Sequence, residues 1–473
     1  MRKGMFKIQH KETIYRCIYD DFRIRLCEGE FPKGTSMPSL PDLCKQYRVG
    51  KNTMIKVLSM LRESGLIATS PGKVGQVLFD YNELDKYLLA LPGLICDEKI
   101  LADYYKAIRI LFPTLYTAIA LSCSTKQRAE INTFCIGFSA CAIDGEHCAR
   151  LSIRLFQAVL AASKNQLIRK IVAITMRKTV LPSALLCGHN EAFRPILQNI
   201  AAISVRLNAA LQAQNANALQ NCWQQLLDVY PQALEKALEC DILSRVNPKP
   251  VANLFENMDD EKCFLVASDL RNKILNGTYM VGDFLPPMSE AKTRFAVSVS
   301  TLRKAYHILG EMGYTQTSNG RGTEVLSYDG FKNSAFLERV AMEHKKKYDE
   351  AVEFFSLTCG AVVGAADAID FAQLQHDIDS RWNPAHRYSV GILLYHLFKG
   401  VHSPAVLSIY QVSSSSLYWG SYLKNIPATG ALCAKNHQKC LDTMAALRQK
   451  NEPAAIALLQ TLIATLQPAD IAM

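Results

Sequence analysis

The sequence contains no long apolar run that would suit export or membrane insertion. Basic residues lie within positions 1–10, but no apolar stretch follows them, so we expect no secretory signal. The longest uncharged stretches either are short and contain proline or are rich in Asn, Gln or Ser, as in 401–423, which makes poor membrane spans. We therefore expect a soluble protein that does not contact a membrane.

Paired cysteines and biased segments are absent as well. The fifteen cysteines form no CxxC pair and their number is odd, which favours reduced thiols and a cytoplasmic location. With 49% hydrophobic and 20% charged residues, and no long run of one charge, the composition is that of a globular chain. A length of 473 residues exceeds what one hydrophobic core serves, so several domains are expected.

Positive charge is concentrated in two short regions. Residues 1–80 hold fourteen Lys and Arg against eight Asp and Glu, and residues 262–328 hold eight against five, within a formal net charge of +10. Two separate basic modules suit contact with phosphates, although a chance surface imbalance would give the same numbers.

An internal repeat links the two basic regions. "EGEFPKGTSMPSLPDLCKQYRVGKNTMIKVLSMLRESGLI" aligns without gaps to "NGTYMVGDFLPPMSEAKTRFAVSVSTLRKAYHILGEMGYT". Gly34 and Gly282, Gly65 and Gly313 are two of the matched pairs, and every pair differs by 248 positions. We therefore predict one fold used twice.

Each copy has the pattern of three helices and a hairpin. Apolar periodicity predicts a first helix over Ile14 to Cys27 and over Phe264 to Leu275. Pro and Ser introduce a short second helix, and Gly65 or Gly313 ends the third. "ATSPGKVGQVLFD" and "TQTSNGRGTEVLS" then indicate two short strands around a glycine-containing tip. This arrangement is a winged helix-turn-helix.

Both copies resemble the DNA-binding domain of the GntR family, whose pattern includes a Leu-Pro-Ser stretch, a Val-Ser-Arg-x-Thr-Val-Arg helix start and a Gly-Arg-Gly-Thr wing. The positions that carry the resemblance are Pro38, Ser39, Val49, Lys51, Thr53, Gly65, Leu66 and Gly72 in the first copy, and Val297, Ser298, Ser300, Thr301, Leu302, Arg303, Gly313, Gly320, Arg321, Gly322 and Thr323 in the second.

The copies depart from the family pattern in different ways. The Glu-Arg pair after Pro-Ser is replaced by Leu40 and Pro41, and by Met288 and Ser289. In the third helix the first arginine becomes Lys51 and Val299, and the second becomes Ile55 and Arg303. Each copy retains only part of the usual contact set, which indicates two unequal half-sites.

The resemblance nominates DNA contacts on the third, or recognition, helix and on the wing. Base contacts are predicted for Lys51, Asn52 and Thr53 in one copy and for Ser300, Thr301 and Arg303 in the other. Phosphate or minor-groove contacts are predicted for Lys56, Lys73, Lys304 and Arg321, and the matched Ser298 and Gly322 complete the set. An ordinary solvated helix face stays open as the alternative for each charged residue.

The segments after the wings, 83–245 and 331–473, are rich in Ala, Leu, Ile and Gln and predict all-α bundles. A weaker repeat relates them: "YYKAIRILFPTLYTAIA" aligns to "YDEAVEFFSLTCGAVVG", and "LFQAVLAASKNQLIRKIV" to "LYHLFKGVHSPAVLSIYQ". These blocks are similar to the FCD domain of the FadR subgroup of the same family. The resemblance implies a site for a small-molecule effector, and the sequence does not identify the ligand-binding residues.

We predict no metal and no cofactor. The Asp-x-x-x-His motif that holds a metal in such domains falls on Ile153 and Gln157 in one half and on Ile392 and His396 in the other. Cys433, His437 and Cys440 would share one helical face, but core packing is favoured over a metal site because no fourth donor is in view. The same interpretation applies to Cys135, Cys141 and Cys148.

The sequence thus predicts a mainly α chain with small β wings: winged domains at 1–80 and 256–328, each followed by a helical domain at 83–245 and 331–473. The predicted function is a DNA-binding transcription regulator, repressor or activator, with a double-stranded operator as partner. A homodimer of internally pseudo-symmetric chains stays open. The alternatives are a winged-helix protein-interaction scaffold and a regulator fused to an enzyme. We predict no catalytic residues, because the helical segments are too short for a fused aminotransferase-like domain and contain no Gly-rich phosphate loop.

Overall fold

The computed structural model describes most of the chain. The described residues are 15, 18, 19, 22, 26, 31, 33–47, 49–68, 75–78, 98–140, 145–179, 190–240, 263, 266, 267, 269–271, 273, 274, 278–295, 297–311, 313–318, 320–327, 334–381, 388–423 and 430–466.

Helices dominate the described residues, and the strands form two small hairpins. In chain order the elements are α1 (Leu40–Tyr47), α2 (Lys51–Glu63), β1 (Ile67–Ala68), β2 (Gln76–Val77), α3 (Glu98–Ser122), α4 (Thr125–Ala140), α5 (Gly145–Ala162), α6 (Gln166–Thr179), α7 (Asn190–Gln212), α8 (Ala216–Leu227), α9 (Val229–Glu239), α10 (Met288–Phe295), α11 (Val299–Glu311), β3 (Thr315–Ser318), β4 (Gly322–Val325), α12 (Ser334–Ala365), α13 (Phe371–Arg381), α14 (Tyr388–Gly400), α15 (Pro404–Leu423), α16 (Gly430–Arg448) and α17 (Glu452–Ala464). The predicted fold class, mainly α with small β wings, is confirmed.

The two winged domains share their backbone hydrogen bonds as well as their sequence pattern. Gly34 N donates to Val77 O at 2.8 Å, and Gly282 N donates to Val325 O at 2.9 Å. The strand pairing also corresponds at the same separation of 248 positions. Ile67 pairs with Val77 in the first wing, and Thr315 pairs with Val325 in the second. An additional bridge to a residue before the second helix also occurs in both copies, between Ser36 and Gln76 and between Phe284 and Glu324. The ungapped sequence repeat is therefore a repeat of three-dimensional structure.

Glycine ends both recognition helices, as predicted. Gly65 has φ of 69° and Gly313 has φ of 79°, a left-handed conformation in which a side chain would add strain. Leu66 N then donates to Leu61 O and Tyr314 N to Leu309 O, each at 3.0 Å, so the chain turns back into the wing at the same point in both copies.

The core of the second winged domain lies between α10, α11 and the wing. Leu285, Leu302 and Val325 are buried there together with two tyrosines. Tyr306 Oη donates to the carbonyl of Pro286 at 2.6 Å, and burial raises the pKa of its phenol to about 12, so the neutral donor form persists. Arg271, itself buried, donates from Nε to Tyr314 Oη at 2.9 Å, so this buried donor has a hydrogen-bond partner inside the domain.

The first winged domain fills the same space with other side chains. Phe22, Met54, Leu61 and Val77 are buried with less than 1% of their surface exposed. The ring centroids of Phe22 and Tyr47 lie 5.2 Å apart. The aromatic side chains of this core therefore belong to the predicted first helix and to α1, whereas in the second copy Tyr306 belongs to the recognition helix α11.

Two helical regions follow the wings, α3 to α9 and α12 to α17. The residues group into two compact units, one comprising 1–105, 119–162 and 173–252 and the other 106–118, 163–172 and 253–473. The predicted domain boundaries stay predictions. Of the helices that the structure describes, none is long and apolar enough to cross a membrane. None of the nine cysteines whose side chains are described forms a disulfide.

We expect Tyr306→Phe to destabilise the second winged domain, because the variant removes the buried donor to the Pro286 carbonyl. The expected loss is about 1 to 2 kcal/mol, or roughly 5- to 30-fold faster amide exchange by local opening across 299–326. Hydrogen-exchange mass spectrometry on the full chain measures this rate.

Tyr279→Phe is the matched control, since Tyr279 Oη accepts a hydrogen bond from Arg294 at 3.1 Å at the surface. The control should change exchange across 299–326 little. If Tyr306→Phe exchanged as slowly as the wild type, the hydrogen bond to Pro286 would not stabilise the domain.

Candidate nucleic-acid interface

The first recognition helix, α2, exposes one polar face. Lys51, Asn52, Ile55 and Lys56 are exposed and follow helical spacing. The opposite side, with Met54, Val57 and Leu61, is buried in the winged domain. The hydrophobic core therefore determines which side chains of α2 point to solvent.

The second recognition helix, α11, exposes the equivalent face. Ser300, Arg303, Lys304 and His307 are exposed, and they correspond to Asn52, Ile55, Lys56 and Ser59 of the first copy. The predicted contacts at Ser300, Arg303 and Lys304 thus share one surface. His307 was missed by the sequence prediction, although its position four residues after Arg303 could have indicated it.

Two predicted contacts have structural roles at the start of α11. Ser298 Oγ accepts a hydrogen bond from Thr301 N at 3.1 Å, which makes Ser298 the N-cap, and it lies 2.7 Å from Thr301 Oγ1. Thr301 is only 8% exposed. The burial of Thr301 disagrees with the prediction that it contacts a base, because its side chain packs inward and bonds to the cap.

The first copy starts its recognition helix differently. Gly50 occupies the N-cap and offers no side-chain hydrogen bond. Thr53, the counterpart of Thr301, is half-buried. Side-chain hydroxyls therefore cap the first turn of α11, whereas no side chain caps α2.

Basic residues flank the exposed faces. The Lys56 ammonium lies 3.8 Å from the ring centroid of Tyr15, an arrangement that favours the cation electrostatically and restrains the side chain beside Ile55. Lys304 is exposed at the corresponding position of the second copy. Both lysines are therefore exposed next to the outward face of a recognition helix, and the prediction that they contact phosphate stays a prediction.

The wing of the second copy ends in a tight turn that exposes arginine. Arg321 N donates to Ser318 O at 3.1 Å, and the arginine side chain is exposed at the tip. Gly322 has φ of 111°, and a Cβ there would lie 3.2 Å from the Phe284 ring, so its role is conformational. Lys73, the predicted wing contact of the first copy, lies outside the described residues.

The described part of the helical regions holds no group of three His, Cys, Asp or Glu side chains suited to a metal. His396 is 3% exposed and its Nε2 lies 2.9 Å from Asp377 Oδ2 on α13. Burial raises the pKa of the Cys440 thiol to about 12 and that of Cys135 to about 12, which keeps both as neutral core thiols. The side chains of Ile153, Gln157, Cys141 and Cys433 lie outside the described residues.

A cleft of about 450 Å³ lies between α7 and α8 in the first helical region. Four alanines and Cys222 line it together with the polar residues Arg206, Asn215, Asn221 and Gln225. Arg206 donates to Gln225 Oε1 at 2.7 Å, so the guanidinium is held at the side of the cleft.

Comparison with known proteins identifies both winged domains. A model of the bacterial regulatory proteins of the gntR family matches residues 14–75 and 265–325. The chain is 32% identical over 93 residues to the mannosyl-D-glycerate transport/metabolism system repressor MngR of Escherichia coli (strain K12), which covers 19% of this chain and 39% of MngR. It is 35% identical over 79 residues to the uncharacterized HTH-type transcriptional regulator YdeF of Bacillus subtilis (strain 168), 17% of either chain.

Two solved structures are similar over a larger part of the chain. E. coli McbR/YncC matches over 49% of this chain and 100% of its own, with 14% identity and a TM-score of 0.26. Streptococcus agalactiae GntR matches over 43% and 98%, with 20% identity and a TM-score of 0.20. The similarity to the gntR family therefore lies in the two matched segments, which coincide with the two sets of helices and wings described above. Both winged helix-turn-helix segments of this chain match the model of the bacterial regulatory proteins of the gntR family.

Proposed function

We propose that the chain is a sequence-specific transcription regulator whose two winged domains bind one operator and recognise unequal half-sites. The observation that carries the proposal is the pair Ile55 and Arg303. These residues occupy equivalent exposed positions on the two recognition helices, and they have opposite chemistry.

The chemistry of the exposed faces supports different base preferences. Arg303 can donate two hydrogen bonds to guanine in the major groove, whereas Ile55, 46% exposed, can only make apolar contact with a thymine methyl. Asn52 can pair with adenine where Ser300 has a shorter, less selective hydroxyl. Lys51 adds a donor in the first copy at a position that Val299 occupies in the second.

Control by a small ligand is the second part of the proposal. The cleft beside Arg206 has the size of a small-molecule site and combines one cation with amide groups, which suits an organic acid. The name of MngR states that it is a repressor, and repression by operator occupancy is the simplest form of control for this chain.

We expect a screen of small organic acids by thermal shift to find ligands that stabilise the chain. A ligand that binds only the native state raises the unfolding midpoint, and the shift grows with the logarithm of ligand concentration above Kd. Arg206→Ala should abolish the shift, while Arg169→Ala, a change outside the cleft, should preserve it. A shift that survives Arg206→Ala would place the effector elsewhere.

We expect DNA selected from a random pool by the full chain to show an imperfect palindrome. Arg303→Ala should relax base preference in one half-site only, by roughly 1 to 3 kcal/mol at one position. Ile55→Arg should make the two half-sites more alike, because it introduces the second copy's residue into the first. Symmetric sites for the wild type, or equal loss in both halves for Arg303→Ala, would contradict unequal recognition.

Electrostatic contact gives a separate expectation. Removing one phosphate contact by Lys56→Ala or Lys304→Ala should weaken binding to all sequences and reduce the magnitude of the salt slope by about 1. Titrations at several salt concentrations measure the slope. Lys170→Ala removes an exposed lysine of α6 and should leave it unchanged. If both recognition-helix variants retained the wild-type slope, these lysines would not contact phosphate.

An apolar patch favours a second function for the second winged domain. Met280 is 68% exposed, Val281 67% and Phe284 46%, whereas the equivalent positions in the first copy are Pro32, Lys33 and Ser36. Such a patch suits contact with another protein, which is the role of a winged-helix interaction scaffold. Failure of the random-pool selection to enrich any DNA would favour this function.

A further inference from the structure

We propose that the two helical repeats of the chain form a two-fold interface with each other, so that one chain is the complete operator-binding unit. The operator-binding part rests on the proposed function, whereas the interface does not. The contacts lie within the second compact unit, which includes residues 106–118 and 163–172 as well as 253–473.

The first contact joins the loop before α6 to the long helix α12. Asn165 is 3% exposed, and its Oδ1 accepts from Ile168 N at 2.9 Å, which caps α6. Its amide Nδ2 donates to the Glu350 carbonyl and to Glu353 Oε2, each at 2.8 Å. One buried amide therefore uses its acceptor within its own helix and its donors on a helix nearly two hundred positions away.

The second contact joins α3 to the loop before α15. Lys106 Nζ donates to the carbonyl of Val401 at 2.8 Å. Val401 has no exposed surface, and Ser403, two residues later, caps α15 by accepting from Val406 N at 3.1 Å. This loop, like the one that contains Asn165, connects two helices and ends in a polar N-cap.

The two contacts are reciprocal in the helical repeat. Lys106 and Glu350 are equivalent positions of the aligned blocks that begin at Tyr104 and Tyr348. Asn165 and Ser403 are structural equivalents, because each caps the helix that follows it. In the ungapped sequence alignment Asn165 is opposite the residue after Ser403. A loop of the first half contacts the helix of the second, and the corresponding loop of the second half contacts the helix of the first. This pattern defines a two-fold interface between like elements.

The two long helices that make these contacts are deeply buried. Leu111, Phe112 and Leu115 on α3, and Phe354 and Phe355 on α12, have less than 1% exposure, and Phe355 packs against Phe398 and Tyr410 of its own half. Asn165 is also buried, so a shift that broke its hydrogen bonds to α12 would leave buried donors without partners.

The deciding experiment measures amide protection of residues 106–116 and 348–359 in the full chain without DNA. Protection of an interface within one chain does not depend on concentration, whereas an interface between copies opens on dilution. We expect equal exchange rates before and after a dilution of about 100-fold, with light scattering showing one chain per particle. Protection that is lost on dilution, or a stable dimer in the diluted sample, overturns the proposal.

A charge variant tests the contact itself. Asn165→Asp retains an acceptor for the cap but places a carboxylate against Glu353 and the Glu350 carbonyl, so exchange in both segments should rise on the order of 10-fold. Adding Glu353→Gln should restore slow exchange, because the new amide can donate to the introduced carboxylate. Ser403→Ala removes a cap of the same kind without adding charge, and its effect should be smaller. Unchanged exchange in Asn165→Asp overturns the role of this contact.

Stoichiometry on DNA completes the test. Mass photometry with a selected duplex should show one chain per duplex, and two chains at the lowest concentration that gives binding would overturn the one-chain unit. Absence of any DNA binding would refute the proposed function instead, while the dilution experiment would still decide the interface.

Discussion

The exposed face of each recognition helix depends on the burial of the opposite side of that helix. Met54, Val57 and Leu61 hold α2 against the core, and Leu302 and Leu309 do the same for α11. Rotation of α11 by one residue would turn Arg303 toward apolar side chains, where an unpaired guanidinium is costly. Hydrophobic packing thus selects which polar residues are available to a ligand as large as DNA.

The same backbone accommodates two cores of different composition. The second copy has Ala291 and Ala305 where the first has Leu43 and Val57. It also has Tyr306 and Tyr314 where the first has Leu58 and Leu66. Both copies retain the same backbone hydrogen bonds despite these exchanges. Each tyrosine brings a hydroxyl inside, and each hydroxyl has a partner, the Pro286 carbonyl or Arg271.

Some of the residues that the family pattern would assign to recognition instead stabilise local structure. Ser298 and Thr301 hold the start of α11, and Gly322 allows the wing to turn beside Phe284. The exposed set that results is smaller than the family pattern and differs between copies. The two copies thus differ both in their core side chains and at their outward positions, while the backbone hydrogen bonds of the wing and helix end are the same.

The sequence by itself determined the two winged domains and most of their outward faces. Glycines with positive φ, helical periodicity and an ungapped repeat are local signals, and they located α2, α11, both wings and the exposed positions of Lys51, Asn52, Arg303 and Lys304. Local periodicity could not show that Thr301 is buried and Ser300 exposed, because the two residues are adjacent hydroxyl side chains at the start of α11. The packing of α11 against the core decides which of them faces inward. The pairing of Asn165 with Glu350 and of Lys106 with Val401 was decided by tertiary structure alone, since no local pattern records which distant buried donor meets which acceptor.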